Sequence, residues 1–185
     1  KKFNLSYLGL TRISFSTLYS YLSNYFIPHS KVHNLLFLST GFIFFIHFFK
    51  KNFLNQPKKL KKFYFLILLI ILIFTAILGF KTHDDFPYYH FSYTYSLTQN
   101  NLMIGLGNFN HGFKTPSSLF YLNSLLYIPY FEYYLFQYGA AIFLVFANFS
   151  LYQNLNTRYV TNDKILFYLS FLSLIFLNIF FLQII

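Results

Sequence analysis

Apolar positions in this chain gather in long runs, not in the alternation of a strand or the single stripe of a surface helix. Two runs carry no charge at all: "FYFLILLIILIFTAILGF" at 63–80 and "ILFYLSFLSLIFLNIFFLQII" at 165–185. At ~1.5 Å per residue, a helix of either length reaches roughly the ~30 Å of a bilayer's hydrocarbon core. A shorter run, "HNLLFLSTGFIFFIHFF" at 33–49, is flanked by Lys31 and Lys50, whose long side chains can snorkel to the interfaces. The stretch 117–152 would make a helix of ~54 Å, too long for one crossing. Pro129 and Glu132 break it. The break predicts two shorter spans, 117–130 and 135–152, turning on the cytoplasmic side, or else a re-entrant first half. Residues 1–28 show partial helical spacing interrupted by Arg12 and many Ser, Thr and Tyr, and read as the end of a span or an interfacial helix. The polar stretch 153–163 reads as a loop, with Asp163 placed to cap the last helix. The fold expected is all-α: a polytopic transmembrane helical bundle forming one membrane domain, with one longer extracytoplasmic loop at 81–116.

Charge orients this bundle. Only 10% of the 185 residues are charged, against ~25% in an ordinary soluble domain. The net charge is +10, and six of the fourteen Lys and Arg fall within "KKNFLNQPKKLKK" at 50–62, between two apolar runs. That is the pattern of a short cytoplasmic loop beside anionic headgroups, not of a nucleic-acid surface. With 50–62 inside, the 63–80 span emerges on the far side of an inner or plasma membrane and 81–116 is extracytoplasmic. Cysteine is absent, which excludes disulfides and thiolate chemistry. The 29 Phe, with 12 Lys against 2 Arg and no Trp, reflect an AT-rich coding bias that fills lipid-facing positions, so aromatic stripes are not read as binding sites. The chain starts at Lys1 without a signal-peptide pattern and stops inside an apolar run, and so reads as a fragment of a longer polytopic protein.

The polar chemistry concentrates in the 81–116 loop. It holds three of the six His (His83, His90, His111) and half of the acidic residues, Asp84 and Asp85. In "DDFP" one Asp can cap a helix whose first turn takes Pro87, and Asp85 is the better placed for that role. A second adjacent carboxylate gains nothing from the first. It stays ionised through solvent or a cationic partner, and Mg²⁺ or Mn²⁺ would take both as ligands. Either Asp can also serve as a general base toward an acceptor hydroxyl. His90, two helical turns after His83, suits hydrogen bonding to substrate better than metal ligation. The "GLG" at 105–107 has no strand before it or helix after it, so a turn is expected in place of a dinucleotide site. "KTPSS" at 114–118 reads as a helix start with Thr115 as cap, beside which Lys114 can meet a phosphate. Glu132 reads as an interfacial acid, and His47 and Asn178 as polar groups pairing between helices.

A helix leading straight into an external loop that opens with an acidic pair resembles the GT-C membrane glycosyltransferases. The continuation "HDDFPYYHFSYTYSLTQNN…GLGNFNHGFKTPSSLFYLNSLL" is similar to bacterial members of unassigned specificity, over about residues 63–152. The resemblance implies a polytopic enzyme that passes a sugar from a polyprenyl-phosphate donor to a cell-envelope acceptor. It assigns the catalytic or metal-binding carboxylate to Asp84 or Asp85, and a substrate-binding role to Tyr89 and His90, the "YH" that follows. His111 and Lys114 complete the polar set as candidates for the donor phosphate. The partners implied are membrane lipids and the lipid-linked donor. A transporter or flippase, or a structural membrane segment, is the competing expectation. Against a transporter, the clear apolar runs carry almost no ionisable groups.

Overall fold

The computed structural model describes residues 5–53, 57–79 and 85–184, and among these the regular structure is helical throughout. Seven α-helices follow in order: α1 Leu5–Phe26, α2 Lys31–Asn52, α3 Pro57–Gly79, α4 Phe91–Gln99, α5 Ser118–Ser124, α6 Tyr138–Val160 and α7 Lys164–Ile184. Two helical stretches among the described residues are long and apolar enough to cross a membrane, Lys31–Asn52 and Glu132–Val160.

Helix ends fall where local chemistry puts them. Pro28 closes α1, and Ser30 caps α2 by accepting the His33 amide, while Lys50 and Lys51 sit in the last turn where the helix dipole favours cations. Asp163 accepts the Leu166 amide at 3.3 Å and so caps α7. Residues 1–28, the ambiguous stretch of the sequence, form a full helix from Leu5 onward. The hydroxyls there do not oppose it, because Thr11, Ser14 and Thr17 donate back to carbonyls of their own helix at 2.9–3.0 Å.

The bundle is built on α6, which runs antiparallel to both α3 and α7. Phe74 meets Tyr138 at one end of the α3–α6 pair and Phe65 meets Tyr152 toward the other. Between them Leu66, Val145 and Phe149 are buried together. Asn148 and Asn178 exchange a reciprocal pair of amide hydrogen bonds at 3.1 and 2.6 Å, tying α6 to α7. Gly9 brings α1 onto α6 so closely that a Cβ there would lie 2.1 Å from the Phe146 ring.

Two expected element boundaries are corrected. The segment 117–130 is not a span-length helix: α5 covers seven residues, about 10 Å. The chain then reverses through Tyr130 and Glu132, both in the left-handed region at φ 69° and 48°. Glu132 pairs with Lys31 at the start of α2, so this turn lies at the same end of the molecule as the α1–α2 corner. The second correction concerns 153–163, where α6 continues helical to Val160. Its polar residues stay in register because Tyr152 packs on Phe65 and Gln153 accepts the Ser6 hydroxyl at 3.1 Å.

All long helices therefore end in one of two layers. One end carries Lys50, Lys51, Lys61, Lys62, Arg158 and Lys164. The other is covered by residues 85–137, which form a folded cap. Its core is Tyr93, Leu97, Phe120 and Tyr121, with Tyr89, Leu102, Leu106 and Phe113 packed around it. Backbone bonds fasten the cap to the α1–α2 corner: His29 N to Leu97 O at 3.0 Å and Leu102 N to Asn24 O at 2.9 Å.

Candidate functional site

Asp84 lies outside the described residues, as do His83 and the other residues of 80–84, so the expected carboxylate pair is represented by Asp85 alone. Asp85 precedes a single π-helical turn, Phe86–His90, with Pro87 at its start. Its side chain makes no capping bond to that turn. Instead it accepts the Tyr89 hydroxyl at 3.1 Å, one turn on. The expectation that Asp85 is the helix cap is thereby corrected: its own backbone is already helical (φ −73°, ψ −14°), so the carboxylate points along the turn and not across its amides. Partial burial, and then the hydrogen bond to Asp85, raise the pKa of Tyr89, keeping its proton on the phenol.

His90 turns toward the cap interior. Its ring stands edge-on to Tyr89 at 4.4 Å and lies 5.0 Å from Phe120. His111 opens a one-turn helix, His111–Phe113, whose N-cap Asn110 accepts the Gly112 amide at 2.9 Å. Gly112 lies flat on Tyr89, where a Cβ would come within 2.6 Å of the ring. One small layer thus holds Asp85, Tyr89, His90 and the His111 turn.

Lys114 follows the His111–Phe113 turn directly. It lines an open cleft of about 380 Å³ with Leu102–Asn108, Phe113 and Pro116 as walls and Tyr93 and Tyr121 beneath. Its stem lies over Gly107, whose missing side chain makes the room (a Cβ would be 2.9 Å from Lys114 Cγ). Gly105 turns the wall in the left-handed conformation at φ 92°, so the "GLG" forms the expected turn. The Tyr93 and Tyr121 hydroxyls bond each other at 3.0 Å. Asp85, His90 and His111 do not line this cleft. The cap of α5 is Ser117, which accepts the Leu119 amide, and not Thr115. Lys114 is accordingly a cleft cation and does not sit on a helix N-terminus.

A divalent cation would find a hard oxygen ligand in Asp85, with the Tyr89 hydroxyl orienting the carboxylate from behind. Among the described residues no group of three or more His, Asp or Glu converges to hold a metal.

The structure adds a polar cluster that sequence patterning missed. His29, fully buried, sits between Ser124 (Nδ1 to Oγ, 2.7 Å) and Ser23 (Nε2 to Oγ, 2.8 Å). Ser124 itself donates to Tyr121 O at 2.7 Å, so its oxygen accepts from His29 Nδ1–H and Ser23 donates to Nε2. That chain of donors suits a neutral imidazole. Burial, reinforced by His33 stacked at 5.1 Å, drives the pKa of His29 down to about 3. Beside it, Asn34 shares its amide protons among His29 O, Ser124 O and Tyr127 O at 2.8–3.0 Å. The only sequence signals were a His after a helix-breaking Pro and a lone Asn in an apolar run. The cluster is a clamp that joins the α1–α2 corner to α5. Compared with known proteins, the chain matches no protein-family model, no curated protein and no solved structure.

Proposed function

We propose that the chain is a polytopic membrane protein with its lysine-rich end in the cytoplasm and the 85–137 cap outside, acting as a glycosyltransferase on a polyprenyl-phosphate-linked sugar. The observation that carries the reading is the cap itself. The polar segment between α3 and α6 is not a slack connection but a packed layer, with its own core, that presents both a carboxylate and a cationic cleft. The basic residues of the opposite end follow the positive-inside pattern, which favours an outward-facing cap.

The roles follow from the chemistry of each group. Asp84 or Asp85 takes the proton of an acceptor hydroxyl as its oxygen attacks the anomeric carbon. The bond from that carbon to the donor phosphate oxygen breaks, and the phosphate leaves with the electron pair and the charge. Lys114, with backbone amides of the 105–108 turn, is suited to receive it. Tyr89 holds the Asp85 carboxylate in place, and His90 and His111 border the acceptor side. A divalent cation, if bound, would sit on the Asp84–Asp85 side and supply charge neutralisation for the phosphate.

The test is transfer of labelled sugar from a polyprenyl-phosphate donor by membranes carrying the complete protein. Replacing the catalytic carboxylate, by Asp84→Asn or Asp85→Asn, is expected to lower the rate ~10²-fold or more with insertion unchanged. Full transfer by both variants would overturn the assignment.

A further inference from the structure

A second cavity lies beneath the cap, on a side of the bundle open to the lipid of the proposed membrane. It opens between α1 and α2 onto α6, has a volume of about 250 Å³, and is lined by Ile13, Phe37, Leu38, Leu125, Ile142 and Phe146, with Ser16 and Arg12 its polar members. Along α2 the only buried residue is Asn34, in the first turn, so α1 and α2 diverge below their shared corner. The two helices approach again at Phe48, where the Arg12 guanidinium stands 4.9 Å above the ring. Leu122 of α5 and Leu125, which follows it, close the cavity at its cap end. The result is a slot, apolar along its length and cationic at its foot.

Among the described residues Arg12 has no ion-pair partner: Glu132 is held by Lys31, Asp163 by Arg158, and Asp85 belongs to the cap. Apart from Arg12 and Ser16 the cavity's lining is apolar and offers water few partners. Its natural filler, in a bundle bounded by lipid, is an alkyl chain. The depth of the cation decides which lipid. Phe48 is four residues from the end of α2, about 6 Å along the axis. Lys50 and Lys51 follow in that last turn, at the end we place in the cytoplasm.

We infer that the slot between α1 and α2 binds an anionic glycerophospholipid of the cytoplasmic leaflet, its phosphate on Arg12 and one acyl chain running toward α5. Arginine suits that phosphate because its planar fork donates two parallel hydrogen bonds. Lys50 and Lys51 add attraction at the mouth without fixing geometry. The inference rests on the membrane embedding and orientation proposed above and not on catalysis, so loss of sugar transfer leaves it standing.

Native mass spectrometry of the detergent-purified full chain tests it, with added phosphatidylglycerol against phosphatidylcholine of the same acyl chains. Phosphatidylglycerol is expected to bind one per chain and more tightly by about fivefold, the worth of one basic contact. Arg12→Gln should erase that preference and Arg12→Lys should keep part of it. Leu38→Trp, which fills the slot and leaves Arg12 in place, should lower the binding of both lipids. Equal binding of the two lipids by the unmodified chain would overturn the inference, as would phosphatidylglycerol binding untouched by both Arg12→Gln and Leu38→Trp. Displacement of the phospholipid by an equimolar polyprenyl phosphate would also overturn it, by giving the slot to a different lipid.

Discussion

Mild acid should loosen the hold of the α1–α2 corner on the cap, and the size of the effect follows from His29. The folded protein keeps this imidazole neutral, with a pKa near 3, because it is buried beside His33 and its two nitrogens are already committed to Ser23 and Ser124. In the unfolded chain it takes a proton below the ordinary value of 6.5. A depressed folded-state pKa means stability that is complete above pH 6.5 and declines as pH falls toward 3. Each unit costs ~1.4 kcal/mol, so at pH 5 the deficit is about 2 kcal/mol. That is a large part of the roughly 5–15 kcal/mol that holds a domain together. The assay is the thermal midpoint of the detergent-purified chain at pH 7 and pH 5, followed by tyrosine emission, for the natural protein and for His29→Gln. Glutamine keeps a donor and an acceptor but does not titrate. The variant should start less stable by about 1–3 kcal/mol at pH 7, from imperfect bonding to the two serines. Its further loss on going to pH 5 should be smaller than the natural protein's by about 2 kcal/mol. Parallel pH profiles would refute the reasoning, because the acid response would then come from other groups.

Asn34→Leu removes the donor shared by three carbonyls of the same corner, and should cost about 3 kcal/mol or more, read as a lower thermal midpoint at every pH. Tyr89→Phe takes the hydroxyl from Asp85 without changing the packing of the ring on Gly112. Sugar transfer should fall about tenfold, the worth of one hydrogen bond to a carboxylate, while the melting temperature stays within a degree or two.

Apolar runs announced α2, α3 and α7 because each is continuous over the length of a long helix. The same logic failed where polar residues were satisfied locally or at long range. Thr11, Ser14 and Thr17 made α1 look like a broken segment, yet each hydroxyl returns its bond to the helix that carries it. Leu125 to Tyr130 looked like the continuation of a helix, and no periodicity betrays that Asn34, about 90 residues away, takes the carbonyls of Ser124 and Tyr127. In the candidate site, composition gathered Asp85, His90, His111 and Lys114 into one segment, and the resemblance added Tyr89. Neither divided them. Gly112 and Gly107 let the chain pass close over Tyr89 and Lys114, and Asp85 does not line the cleft that Lys114 does. The role of Asp85 was misread for a related reason: a cap depends on backbone angles at the Asp, which the sequence "DDFP" leaves open.

Everything proposed for the cap depends on which side of a membrane it occupies, and single cysteines in this cysteine-free chain measure that directly. Ile104 and Tyr130, almost fully exposed at the cap end, and Val160, at the basic end, are the positions to replace. In intact cells a membrane-impermeant maleimide is expected to label Ile104→Cys and Tyr130→Cys, and to reach Val160→Cys only after permeabilisation. Labelling of all three in intact cells, or of Val160→Cys alone, would contradict a membrane-embedded bundle with an outward catalytic cap.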